Sequence, residues 1–138
     1  FKNKNMIIKY KSLSLREALS KFFHFINAAQ LDSSKIVTET EIQVITEFIL
    51  LPEKFHFQRF STLAKRKVRQ ILEDEFSWTL SKENLNNKIY SLIDKNILNR
   101  DEDGVIHIVK HLRIPISELI KAYEEKKKYE ITFRYEID

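Results

Sequence analysis

The sequence predicts an α+β fold that is mainly helical. Three observations carry this. Apolar residues recur at helical spacing along most of the chain, and Ser/Thr-x-x-Glu phrases mark two helix starts. An Asp-Gly pair stands before an alternating run, the mark of a β-hairpin. Both ends, "MIIKYKSL" and "YEITFRYEI", alternate as strands do.

Three stretches follow in order. Residues 1–37 read as an N-terminal strand or arm and a helix. In 5–13, Ile7, Ile8 and Tyr10 are β-prone. A helix over 14–30 opens on the capping box Ser14/Glu17 and turns Leu15, Ala18, Leu19, Phe22, Phe23 and Ile26 inward. "DSSKIV" connects it to the second stretch, 38–112. There Thr38 and Glu41 cap a helix over 38–51 with Ile42, Ile45, Phe48 and Ile49 inward, and Pro52 stops it. "EKFHFQRF" reads as a loop with a short extended piece. The next helix, 61–76, is expected to face Leu63, Val68, Ile71 and Leu72 to the core and Lys65, Arg66, Lys67 and Arg69 outward. "SWTL" is a turn anchored by Trp78. Ser81 caps the following helix, where Leu85, Ile89, Leu92, Ile93 and Ile97 recur. The hairpin follows, with Gly104 in its turn. The third stretch, 113–138, holds a helix after Pro115 and a final strand, which either pairs with the N-terminal strand or leaves each as an exposed edge for a neighbouring chain.

Composition excludes several functions. The chain has 138 residues, 43% of them hydrophobic, which favours one domain, or a small domain with arms. It has no Cys, so disulfides and thiolate chemistry are out. One Gly leaves no phosphate-binding loop and no dinucleotide fingerprint. No apolar run approaches the roughly 20 residues of a membrane span, so no membrane partner is expected. No signal-peptide pattern opens the chain. It begins with Phe1, not Met, and sequence missing before Phe1 is expected. The net charge of +4 permits a polyanionic partner without requiring one.

The order helix, helix, helix, β-hairpin over 38–110 is that of a winged helix-turn-helix. The phrase "LIDKNILNRDEDGVIHI" resembles the winged-helix pattern in which L-x-x-x-G-[IL]-[IL]-x-R runs into the wing. Asn96 stands where that pattern has Gly, and both residues accept the left-handed geometry that ends a helix. The resemblance implies a recognition helix carrying Lys82, Asn86, Asn87, Lys88 and Tyr90. It implies a wing carrying Arg100, Asp101, Glu102, Asp103 and Gly104. A narrower phrase, Asn84, Leu85, Asn86, Asn87 and Ile89 with a β-rich tail behind it, is similar to small proteins of tailed, crAss-like bacteriophages. That likeness implies a phage origin, a virion part, and a place in the virion or the host cytoplasm.

Charge tests the DNA-reading version. Affinity for DNA comes largely from neutralised phosphates. Residues 81–98 carry a net charge of only +1, and 99–109 carry −2. An acidic wing tip repels phosphate, and the recognition helix has no Arg for guanine, though Asn86 and Asn87 suit adenine. Lys65, Arg66, Lys67 and Arg69 are the candidate phosphate contacts, and Glu73, Asp74 and Glu75 follow at once.

No other motif carries chemistry. His107 and His111 overlap a strand, so helical metal-pair geometry fails. His24 and His56 stand beside Phe residues and read as packed. "DEDG" lacks calcium-loop spacing. "EEKKKYE" reads as a solvated helix end. "KFFHF" and "KFHFQRF" fit a single-strand stacking surface in composition, but packing is the default reading. No catalytic, cofactor-binding or metal residues are assigned, and no enzyme is expected.

Two readings remain. One is a non-enzymatic assembly module, a ring or connector subunit of a tailed phage, using the terminal strands and the third helix against protein partners in a homo-oligomer or larger assembly. The other is a winged-helix transcriptional regulator bound to nucleic acid, dimerising through Phe22, Phe23 and Phe25.

Overall fold

The computed structural model describes residues 4–10, 14–126 and 131–137. Its order is β1 (Lys4–Tyr10), α1 (Leu15–Ala29), α2 (Glu39–Ile49), α3 (Thr62–Phe76), α4 (Lys82–Asp94), β2 (Leu98–Arg100), β3 (Ile106–Ile108), α5 (Lys110–Lys126) and β4 (Ile131–Ile137). Short 3₁₀ helices fill two connectors, Ser33–Lys35 and Glu53–Gln58. The fold is mainly helical with small antiparallel sheets, as the periodicity predicts.

α2 is the centre. Helices α1, α3 and α4 all lie against it, and α5 packs on α1. Its Ile42, Val44, Ile45, Phe48 and Ile49 are buried, and so are its polar Glu41, Thr46 and Glu47. Burial on all sides is what a central helix requires. The core also draws Leu19, Phe22 and Phe23 from α1, Leu72 from α3, Leu85, Ile89 and Leu92 from α4, and Leu112 and Ile116 from α5. The Phe48 and Phe60 rings meet at 4.7 Å between centroids.

Both capping boxes form. Ser14 and Thr38 each accept a backbone N–H from the Glu three residues on, and each Glu side chain accepts the cap's own N–H. Ser61 and Ser81 cap α3 and α4 in the simpler way. Asn27 brackets Val37, donating to its carbonyl at 2.7 Å and accepting its N–H at 2.8 Å, which pins the α1–α2 connector.

The structure corrects several expectations. "EKFHFQ" is a 3₁₀ helix with no extended piece. Leu63 does not point inward: it is 64% exposed, and Ala64 takes its place beside Val68 and Leu72. Spacing of four keeps residues 64, 68 and 72 on one side of the helix, and Leu63 falls off that line. Helix α5 begins at Lys110, before Pro115. Pro115 sits in the second turn, so only the carbonyl of exposed His111 loses its helical donor. Phe22 and Phe23 are consumed by the chain's own core, and Phe25 packs partly on it, so this triplet offers no dimer face.

The terminal strands pair within the chain. β1 and β4 run antiparallel from Lys4↔Ile137 to Tyr10↔Ile131, with β4 against α1. β2 and β3 pair from Leu98↔Ile108 to Arg100↔Ile106. Asn96 is left-handed at φ 62, as its position predicts, and Gly104 at φ 80 closes the hairpin loop. Asp103 is not at positive φ, so this is not the two-residue Asp-Gly turn, which needs positive φ at both central residues. Asp101 accepts the N–H of Gly104 on its carbonyl and donates its own N–H to Val105, making a longer loop.

Candidate functional site

The predicted recognition and wing residues divide into those held by the fold and those facing outward. Lys65 on α3, Lys82 at the start of α4 and Arg100 on β2 converge from three elements. The Lys65 ammonium is held below its ordinary pKa, by burial first and then by the nearby charges of Arg100 and Lys82. Arg100 also lies over the Tyr90 ring, 5.6 Å from its centroid, and donates to the Gly104 carbonyl at 3.4 Å. Tyr90 is half-exposed. These residues link α3, α4 and the hairpin into one basic corner.

Others are committed elsewhere. Arg69 is half-buried, and its Nε donates to the Leu80 carbonyl at 3.0 Å, fixing the α3–α4 connection. Lys88 donates to Thr40 Oγ1 at 3.1 Å and sits above Trp78 at 6.0 Å. Asn86 is half-buried, and its Oδ1 has no partner. Asn87 is exposed on a shallow groove between α4 and the start of α2, shared with Asn84, Thr40 and Lys88.

Behind that groove lies a buried ion pair. Lys95 Nζ meets Glu41 Oε1 at 2.5 Å, with both side chains largely out of water. Burial pushes the Glu41 carboxyl up. Hydrogen bonds from Lys95, Ser91 and the Thr38 backbone outweigh it and hold the group below its usual range. A second pair crosses the other side of α2. Arg16 grips Glu47 with two bonds, 2.8 and 2.9 Å, reaches Glu75 at 3.4 Å and lies over the Phe76 ring. Both pairs are structural clamps.

The acidity of the hairpin is partly internal. Asp101 accepts the N–H of Asp103 and of Val105 and pairs with His107 Nε2 at 2.8 Å. These bonds, His107 first, hold its carboxyl below the usual range. Glu102 and Asp103 remain exposed at the tip. The four histidines differ. His24 meets the Ser20 carbonyl and Glu39, and His56 meets the Leu51 carbonyl, so neither is merely packed against Phe. His111 is exposed on α5. Among the described residues no group of His or carboxylates has metal-holding geometry, and no helix is long and apolar enough to cross a membrane.

Sequence reasoning missed one surface. Phe57 was expected to pack, yet it is 92% exposed. With Leu63 it lines a groove of about 530 Å³ that also holds Lys54, Arg66 and Lys67. The alternation in "KFHFQRF" gave no help, because Phe55 and Phe57 would share a face in a strand, whereas a 3₁₀ helix turns about 120° per residue and sends Phe57 away from the core side that Phe55 packs on. Arg59 was also missed. It donates to the carbonyls of Phe48 and Ile49 at 3.1 and 2.8 Å, capping the end of α2. Comparison with family models, curated proteins and solved structures finds no match to this chain.

Proposed function

We propose that the chain is a non-enzymatic assembly module with a winged-helix body, a ring- or connector-type structural subunit of a tailed-phage virion. The winged-helix reading rests on the order α2, α3, α4 and hairpin, and on left-handed Asn96 before the wing. The observation that carries the assembly reading is the exposure of Phe57 beside Leu63 on one groove. The core is filled by other Phe residues, and a bare aromatic next to a bare Leu supports a protein contact there. Glu102 and Asp103 at the hairpin tip add charge of the wrong sign for phosphate. The virion as the setting rests on the resemblance of the Asn84–Ile89 phrase.

One observation favours the second reading, a DNA-binding regulator. Lys65, Lys82 and Arg100 gather where a winged helix meets the backbone. A salt series of fluorescence anisotropy on mixed-sequence duplex DNA separates the two. The assembly reading expects no binding even at low salt. Tight binding with a steep log–log salt slope would overturn it in favour of the regulator. The assembly reading also expects Phe57→Asp to leave the thermal midpoint unchanged while removing the chain from gradient-purified particles, measured by mass spectrometry.

A further inference from the structure

Helix α3 carries its charges in the order least favourable to itself. Lys65, Arg66 and Lys67 lie in its first half, and Glu73, Asp74 and Glu75 in its last turn. A helix macrodipole prefers the reverse, acids at the N-terminus and bases at the C-terminus. Among the described residues nothing offsets this for the outward charges. Arg66, Lys67, Glu73 and Asp74 have no ion-pair partner among the described residues. They cannot pair with one another along the helix, because each base is six to eight positions from each acid and only spacings of three or four bring side chains together.

These charges share a face. Advancing by about 100° per residue, positions 63, 66, 67, 70, 73 and 74 fall in one stripe. It lies opposite the buried side of Ala64, Val68 and Leu72. Leu63, Arg66, Gln70, Glu73 and Asp74 are exposed and Lys67 is half-buried. The stripe runs from apolar and basic at one end to acidic at the other, with neutral Gln70 midway.

We propose that this stripe is the interface of a symmetric dimer, its occupant the α3 stripe of a second copy laid antiparallel. A twofold axis at Gln70 sets Arg66 opposite the partner copy's acidic position 74, and Lys67 opposite position 73. Each contact occurs twice, as an isologous interface requires. Antiparallel packing also brings acids beside each basic N-terminal half, which offsets the unfavourable dipole order. Phe57 and Leu63 supply apolar surface at each end of the paired stripes. Charge fixes the register, and the apolar residues supply burial. The inference builds on the assembly reading by naming one partner as the chain itself.

The test is sedimentation velocity of the full chain with charge-reversed variants. The chain is expected to dimerise at micromolar concentration and to dissociate as salt rises. R66E/K67E makes the stripe wholly acidic, and E73K/D74K makes it wholly basic. Each alone is expected to weaken self-association by about tenfold or more. Mixed together, the two variants are expected to form a heterodimer at least as tight as the original. The quadruple reversal R66E/K67E/E73K/D74K is expected to restore the homodimer. Far-UV circular dichroism checks that each variant is folded. A wild-type chain that stays monomeric at low salt overturns the proposal, as does a dimer indifferent to both reversals or a mixture that fails to pair. Particle incorporation by a chain that is monomeric in solution would remove this inference and leave the assembly reading standing.

Discussion

At the residue scale, the most consequential groups are two carboxylates on the central helix. Glu41 and Glu47 point into the body from opposite ends of α2, and each is matched by a cation from another element. Neither was visible as a core residue in the sequence, because a Glu in a helix reads as surface until its partner is placed. Glu41 caps α2 and also receives Lys95 from the far end of α4, 54 positions away. Removing one member of a buried pair costs more than the pair contributes, since the other charge stays desolvated. Lys95→Ala is therefore expected to destabilise the chain by about 2–3 kcal/mol in urea unfolding. The pH dependence has a definite sign. The folded carboxyl of Glu41 lies below its unfolded value. Its stabilisation is complete above the ordinary carboxylate range and is lost as pH falls through the lower folded pKa. Urea midpoints of the unaltered chain should fall on acidification below about pH 4. In Lys95→Ala part of that fall should disappear. An identical acid profile in the two proteins would show that Glu41 is not the group responsible.

At the element scale, the junctions decide how well the helices and hairpin are placed. The capping boxes, the stripes of α2 and α4 and the left-handed turn at Asn96 were all legible, because each is set by residues within one or two turns of one another. The start of α5 was not. Pro115 reads as a helix breaker, and only packing of Leu112 and Ile116 into the core explains why the helix begins before it. The outward Leu63 was missed because its size drew it into the core set with Val68, Ile71 and Leu72, although helical spacing puts it off their line and the small Ala64 on it. Asn96 offers a clean test. At φ 62 a side chain with a Cβ is strained unless, like Asn, it bonds locally, and Gly carries no strain. Asn96→Ala is expected to lower stability by about 1 kcal/mol, and Asn96→Gly to be neutral or slightly stabilising. Thermal unfolding of the pair checks the order. If Ala and Gly behave alike, the left-handed turn is not what links α4 to the hairpin.

At the scale of the whole molecule, the ends of the chain change meaning once they are paired. Two β-prone arms read from sequence as either one ribbon or two free edges, because strand alternation says nothing about which strand is the neighbour. Pairing of β1 with β4 removes the inner edge of each and withdraws the arms as an argument for assembly. The proposed binding surface then rests on α3 and its groove, which the sequence had marked only as basic. The ribbon meets the helical body where β4 lies on α1, and among the residues with described side chains the core is built from α1 through α5 and their connectors. Deleting residues 127–138 should therefore leave the helical far-UV signal nearly intact. It should also strip β1 of its partner and expose a strand edge. The expected result is new association that grows with concentration and resists salt, because backbone pairing is far less screened than surface charge. Sedimentation velocity in low and high salt distinguishes this from the charge-registered contact on α3, which salt dissolves. A truncated chain that loses its helical signal would mean that the ribbon is part of the fold's foundation and not an addition to it.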